Sequence, residues 1–248
     1  MIASLPMYDR AEVQGANDRF WQAIRDDLGD APDHLCRTGD IWDHWRAPDL
    51  VLSQTCGYPY RARLHGQVRL VGTPDYGLEG CGPGQYCSVF VARVDDARSD
   101  PCEFVDTVFA YNEPLSQSGW AAPAQYAATR GYRFGTLLRT GGHALSARAV
   151  SEGGADLAAL DALSWRMIRA HDPFAENLRE IARTDPTPAL PYITSASRDP
   201  APLFAAITRA IDALSPQDRA ALSLHGIVAI PAEAYLAVPN PPPPPEGA

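Results

Sequence analysis

Four consecutive residues, Ser116, Gln117, Ser118 and Gly119, put two hydroxyls, an amide and a bare backbone into one turn. Upstream, residues 107–111 are β-branched and aromatic and read as a buried strand. Downstream, residues 120–129 are alanine-rich and read as a helix. A helix start leaves its first N–H groups without intrahelical acceptors and carries a partial positive charge. Small residues let an anion approach those amides, and serine hydroxyls add donors. The stretch is therefore a candidate cradle for a phosphate-like or carboxylate group. The simpler reading is that Ser116 or Ser118 caps the helix.

Two more side chains extend this chemistry. His143 follows Gly141 and Gly142 at the start of another expected helix. An imidazole N–H there can serve an anion whether or not the ring is protonated. Asp161 ends an apolar strand, where an unpaired carboxylate is costly. It needs a cation, a helix N-terminus or a ligand amine, and capping the next helix is as good an account as ligand binding. On paper Ser118, His143 and Asp161 also compose a nucleophilic triad. The Gly-x-Ser-x-Gly elbow is missing, because Leu115-Ser116-Gln117-Ser118-Gly119 lacks its first glycine. Asp156 and Asp161 lie on opposite faces of one strand, which rules out a paired acid/base role. Binding without covalent chemistry is the favoured reading, and an enzyme acting on a small anionic substrate is the alternative.

The elements that must position these groups alternate along the chain. Residues 2–7 read as a strand. Asn17 or Asp18 caps a helix carrying Phe20, Trp21, Ile24 and Leu28 at helical spacing, and Gly29 ends it. Residues 34–37 read as a short strand, 41–45 as a short helix, and 49–53 as a strand running into a turn at 54–60. A strand at 68–72 is followed by a Gly/Pro-rich loop at 73–85 and a strand at 86–93. Beyond the central stretch come a strand at 132–138, a helix at 141–153, a strand at 157–161, a helix at 162–171 and a strand at 178–183. Helices at 202–214 and 217–222 and a turn at 231–235 finish the folded part. This alternation implies an α/β class with mostly parallel sheets and flanking helices. The polar run 95–101 and the proline-punctuated run 185–191 read as crossings. They divide the chain into one lobe of 1–94 with 190–238, a second of 95–189, and a proline-rich tail at 239–248. In open α/β sheets, ligands sit beyond the carboxyl ends of strands. Tyr8, Gln54, Thr55, residues 112–118 and Asp161 all occupy such ends, which predicts an interlobe cleft.

Composition narrows the partners. The chain has 248 residues, 46% of them hydrophobic, and a formal net charge of −9. That length supports one large domain or two smaller lobes. The acidic balance and the lack of a Lys/Arg cluster exclude a nucleic-acid surface. No apolar run approaches bilayer length, so direct membrane insertion is not expected. Residues 1–7 lack the basic and apolar regions of a signal peptide, so the expectation is cytoplasmic as written, or periplasmic if a leader was removed. The five cysteines include no Cys-x-x-Cys pair, and most read as buried thiols. Neither a metal nor a cofactor is expected.

The order and spacing of several segments resemble the PhnD-like phosphate/phosphonate-binding proteins of ABC transporters, which have the type II periplasmic-binding fold. The matching parts are 53–60, 84–93, 112–119, Gly141-Gly142-His143 and 155–161. The resemblance implies a two-lobe solute-binding protein that closes on a small anionic ligand, a phosphonate, phosphate ester or phosphate. It supplies that ligand to an ABC permease or senses it. It further implies that Ser116, Gln117 and Ser118 meet the phosphonate oxygens and that His143 reaches the anion. Tyr60 (or Tyr58) and Tyr86 would line the pocket, and Asp161 would meet the amino end of a ligand. The family usually has Ser-Thr-Ser where this chain has Ser116-Gln117-Ser118.

Overall fold

The computed structural model describes residues 1–245, which divide into two compact units. One unit combines Met1–Gln85 with Pro188–Ala237, and the other combines Tyr86–Thr187 with the described tail residues 238–245. The first crossing thus lies at 85/86 and not at the polar run 95–101. The reason is the strand Ser88–Arg93, which the sequence reading assigned to the first lobe. It pairs on one side with Leu157–Asp161 and on the other with Leu178–Arg183, so it is an interior strand of the second unit. The charges of 95–101 serve local turns instead. Asp96 accepts from Arg98 Nε at 2.9 Å, and Asp100 caps the 3-10 turn Pro101–Phe104. Of the proline-rich tail, residues 246–248 lie outside the described residues, and its described part is tied to the second unit where Trp120 Nε1 donates to Pro242 O at 3.0 Å. Among the described residues, no helix is long and apolar enough to cross a membrane.

The first unit is built on five strands in the order Ile2–Ser4, Leu50–Gln54, Tyr192–Ser195, Val68–Asp75 and Gly226–Val228. Ile2–Ser4 and Leu50–Gln54 run parallel, and the remaining pairs are antiparallel. Tyr192–Ser195 and Gly226–Val228 went unread in the sequence because three or four residues give no period to detect. Tyr192–Ser195 is nonetheless central and wholly buried. Helix Gln14–Leu28 buries Phe20, Trp21 and Ile24 and stops at Gly29, whose φ of +76° suits glycine. It starts before Asn17, whose amide donates to Asp9 Oδ1 at 2.9 Å and caps nothing. Residues 34–37 form no strand. The 54–60 turn is more regular than expected, with helical turns at Gly57–Pro59 and Tyr60–Leu64. The core of this unit gathers Trp45, Leu50, Tyr60, Leu64, Val68, Ile193 and Tyr235.

The second unit has five strands in the order Thr136–Arg139, Val108–Tyr111, Leu157–Asp161, Ser88–Arg93 and Leu178–Arg183. The first three run parallel, Ser88–Arg93 runs against them, and Leu178–Arg183, antiparallel to Ser88–Arg93, runs in the sense of the first three. Both sheets are therefore mixed rather than mostly parallel, because the first long strand after each crossing, Ser88–Arg93 or Tyr192–Ser195, is antiparallel to both of its neighbours. The parallel trio still brings three carboxyl ends to one edge. Ser88 joins them there, since the antiparallel register pairs it with Asp161. Helices His143–Ser151 and Ala162–His171 each start at that edge. Phe109 and Phe134 stack 4.1 Å apart in the apolar interior. Only two of the five cysteines, Cys56 and Cys87, are buried.

Candidate functional site

Strand Val108–Tyr111 ends at Asn112, and the chain turns through residues 113–116 before winding into a π-helical turn, Gln117–Ala121. Ser116 keeps an extended backbone and its Oγ accepts from Gly119 N at 3.0 Å, which makes it the cap. Ser118 does something else. Its buried hydroxyl lies 3.0 Å from Nε2 of His143. The sequence left both serines open as cap or ligand donor, and the structure divides the roles between them. Glu113, the acid closest in sequence, is paired with Arg139, which offsets its charge beside an anion site.

His143 reaches Ser118 because two loops are stitched together. Thr140 N donates to Tyr111 O and Gly141 N donates to Asn112 O, each at 2.9 Å. Thr140 Oγ1 adds a contact of 2.6 Å to Ser146 Oγ. Gly141 makes the turn at a φ of +86°. His143 as a whole is half-buried, while its Nδ1 is sealed from solvent and has no hydrogen-bond partner among the described residues. Desolvation pushes the imidazole down to about 4, so the ring is neutral at pH 7. Attraction for an anion here comes from the helix start and from neutral donors, not from an imidazolium.

A pH dependence follows. The folded value lies below the ordinary value of 6.5, so the unfolded chain takes up the proton first. The stability contributed by neutral His143 is complete above about pH 6.5 and drains away as pH falls toward about 4. Urea titrations between pH 7 and pH 4.5 should show the native protein losing more stability than His143→Gln, and parallel losses would contradict the buried neutral ring.

Asp161 ends strand Leu157–Asp161 with only 2% of its surface exposed. Its Oδ1 accepts from Leu163 N at 2.8 Å and Ser164 N at 2.9 Å, so it caps helix Ala162–His171. The turn Gln117–Ala121 packs on the same strand. Tyr86 is buried close by, and Ala162 N donates to Cys87 O at 3.1 Å. Ser116, Gln117, Ser118, His143, Asp161 and Tyr86 therefore share one end of one sheet. A triad does not form, because His143 Nδ1 lacks the carboxylate that would orient the ring and Asp161 is engaged by backbone amides.

The remaining candidates belong to the first unit. Gln54 is buried, and its Nε2 donates to Tyr76 Oη at 2.8 Å and Leu190 O at 3.1 Å. The ring of Tyr76 meets Tyr8 edge-on at 5.3 Å, so Tyr8 and Gln54 are joined through a tyrosine that the sequence reading passed over. Thr55 is fully buried, with its N–H on Pro191 O at 3.1 Å. Tyr60 sits in the apolar core, with its ring 5.4 Å from that of Tyr235. Its packing is that of a core aromatic. Sequence reasoning missed Ser88 at the second unit's edge and favoured packing over pocket for Trp165. Ser88 Oγ and Trp165 Nε1 are both buried without a hydrogen-bond partner among the described residues.

Residues 49–235 match a family model described as the periplasmic substrate-binding protein of a phosphonate ABC transporter. Among curated proteins, none matches the chain. Among solved structures, PhnD1 from Prochlorococcus marinus in complex with methylphosphonate is similar at a TM-score of 0.71 and 16% identity, covering 94% of each chain. A binding-protein component of an ABC phosphonate transporter from Pseudomonas aeruginosa gives a TM-score of 0.72 at 15% identity, over 92% of this chain and 81% of that one. XAC2383 from Xanthomonas citri, bound to ATP, gives 0.67 at 17% identity, over 94% and 92%. At these identities the structural matches speak for the fold.

Proposed function

We propose, for a chain that belongs to the phosphonate-binding family of periplasmic ABC-transporter substrate-binding proteins, that the Ser116–Gly119 turn receives the oxyanion of a small phosphonate or phosphate ester. The family consists of substrate-binding components, so the partners are a small anionic ligand and a permease. One observation supports this placement of the ligand above the others. At a helix start in the second unit, the Ser118 hydroxyl and a neutral imidazole stand 3.0 Å apart. A neutral pair of this kind donates to an oxyanion with no nucleophilic role for the serine. Ser116 shapes the turn through its cap, Ser118 and the first amides supply donors, and His143 orients the Ser118 hydroxyl. Tyr86, Gln117 and Asp161 border the same edge.

The test is calorimetric titration with methylphosphonate and phosphate, together with melting curves, because a ligand specific for the native state raises the melting temperature. The native protein should bind at least one of the two. Ser118→Ala should bind it about ten- to a hundredfold more weakly, the worth of a hydrogen bond to a charged group. Equal binding by the serine variant, or no binding of either oxyanion by the native protein, would defeat the reading.

A further inference from the structure

Ser88 begins an interior strand of the second unit, and only 1% of its surface is exposed. Its Oγ has no hydrogen-bond partner among the described residues. The backbone of Ser88 is committed to one neighbour: its N–H donates to Thr184 Oγ1 at 2.9 Å, and its carbonyl accepts from Thr184 N at 3.0 Å. Toward Asp161, its register partner on the other side, it forms the kind of antiparallel pair that lacks backbone hydrogen bonds and brings side chains closest. Ser88 and Asp161 therefore project from one face of the sheet.

That face is the one the serine turn covers. Strand side chains alternate, and the register from Ser88↔Asp161 to Phe90↔Ala159 is unbroken, so Ser88 and Phe90 share a face. The ring of Phe90 meets that of Tyr126 at 5.0 Å. Tyr126 belongs to helix Ala122–Thr129, which continues the turn Gln117–Ala121. The turn packs on Leu157–Asp161, the strand beside Ser88. The Ser88 hydroxyl thus points to the side of the sheet, and lies at the end of it, where Ser118 stands. A buried hydroxyl with no partner is costly unless something that arrives later completes it. A hydroxyl also rotates to suit its partner, so it can present its proton to an anion.

We infer that Ser88 is a further ligand-binding residue, its Oγ donating to an oxygen of the bound phosphonate or phosphate. This inference rests on the reading that the Ser116–Gly119 turn is the oxyanion site. Ser88 adds a donor from a different strand, outside the turn. Asp161 does not take the Ser88 proton, and its own charge is offset by the two amides and the helix start that it caps.

Titration of Ser88→Ala with methylphosphonate tests this, with the melting temperature of the unliganded protein measured alongside. The variant should bind about tenfold more weakly, the effect of losing one donor to a charged group. It should melt at or above the native temperature, because alanine removes a buried polar group that the unliganded fold leaves unpaired. Methylphosphonate carries no amine, so the loss reports on the oxyanion and not on a ligand ammonium near Asp161. Affinity within about threefold of native, in a protein whose Ser118→Ala form binds poorly, overturns the inference and leaves the site reading standing. Melting several degrees below native would mean that the hydroxyl serves the fold, and overturns it as well. Failure of the native protein to bind methylphosphonate or phosphate removes both readings. If Ser88→Ala does not fold, Ser88→Cys decides: it keeps the shape with only a weak donor, and native affinity in that variant overturns the inference.

Discussion

Alanine at position 119 should cost the protein both stability and ligand binding. The φ of Gly119 is not in the left-handed region, so the penalty is purely steric. The added methyl would stand 1.9 Å from Asn112 Oδ1 and 3.2 Å from Ser116 Oγ. Real Cβ contacts do not come that close, so Asn112 must rotate out, and the Ser116 cap on Gly119 N at 3.0 Å is disturbed with it. Overpacking of this kind costs roughly 1–3 kcal/mol and a lost cap about 1 kcal/mol. For a chain of this length, about 2 kcal/mol lowers the melting temperature by roughly 4–8 °C. Circular dichroism melts of Gly119→Ala measure this directly. The double variant Gly119→Ala/Asn112→Ala should recover the part of the lost stability that comes from the obstructing amide. Two substitutions sharing one contact are expected to be non-additive in this way. Native melting of the single variant would mean that the turn is not packed as described.

How much of this was legible beforehand differs by element. Strands 108–111 and 157–161 and helix 162–171 announced themselves through apolar runs with clear ends, and their observed bounds fall within a residue of the reading. The serine turn was legible as a helix start, because small polar residues between strand and helix cap it or face its free amides. The boundary between the units was not. A polar, charged run at 95–101 looks like a solvent-crossing linker, but Asp96 pairs with Arg98 inside the run, Asp100 caps the next turn, and Arg179 donates to the backbone carbonyls of Asp96 and Arg98. Strand direction was also hidden, since alternation of strand and helix suggests parallel sheet and says nothing of strands that return beside a chain crossing. Tyr60 and Tyr8 show a different limit. Both are tyrosines near expected strand ends, yet one is packed among Trp45, Leu50 and Tyr235 and the other meets Tyr76. Residue type and position do not distinguish a wall of a site from a wall of a core. The contact between Asn112 and Gly119 carried no signal, because it depends on the space above Gly119, a feature of three dimensions.

Asp161 supports the second large prediction. The resemblance gave it a ligand amine, whereas its Oδ1 accepts from the backbone amides of Leu163 and Ser164. A capping aspartate buried to 2% exposure holds the start of Ala162–His171 against the same edge that carries Ser118. Asp161→Ala leaves two buried N–H groups without acceptors. It should cost about 2 kcal/mol, the upper range for a lost cap, because water cannot readily replace the carboxylate. Asp161→Asn keeps a capping oxygen and should melt within a few degrees of native, since asparagine and aspartate cap comparably. Titrating the asparagine variant with methylphosphonate and with 2-aminoethylphosphonate separates the two roles. A cap alone leaves both affinities near native. A carboxylate that also meets the amine loses affinity only for the amino ligand, because the amide no longer carries the charge that would pair with the ammonium. The short cap distances favour equal affinities, and a selective loss for 2-aminoethylphosphonate would return Asp161 to the ligand.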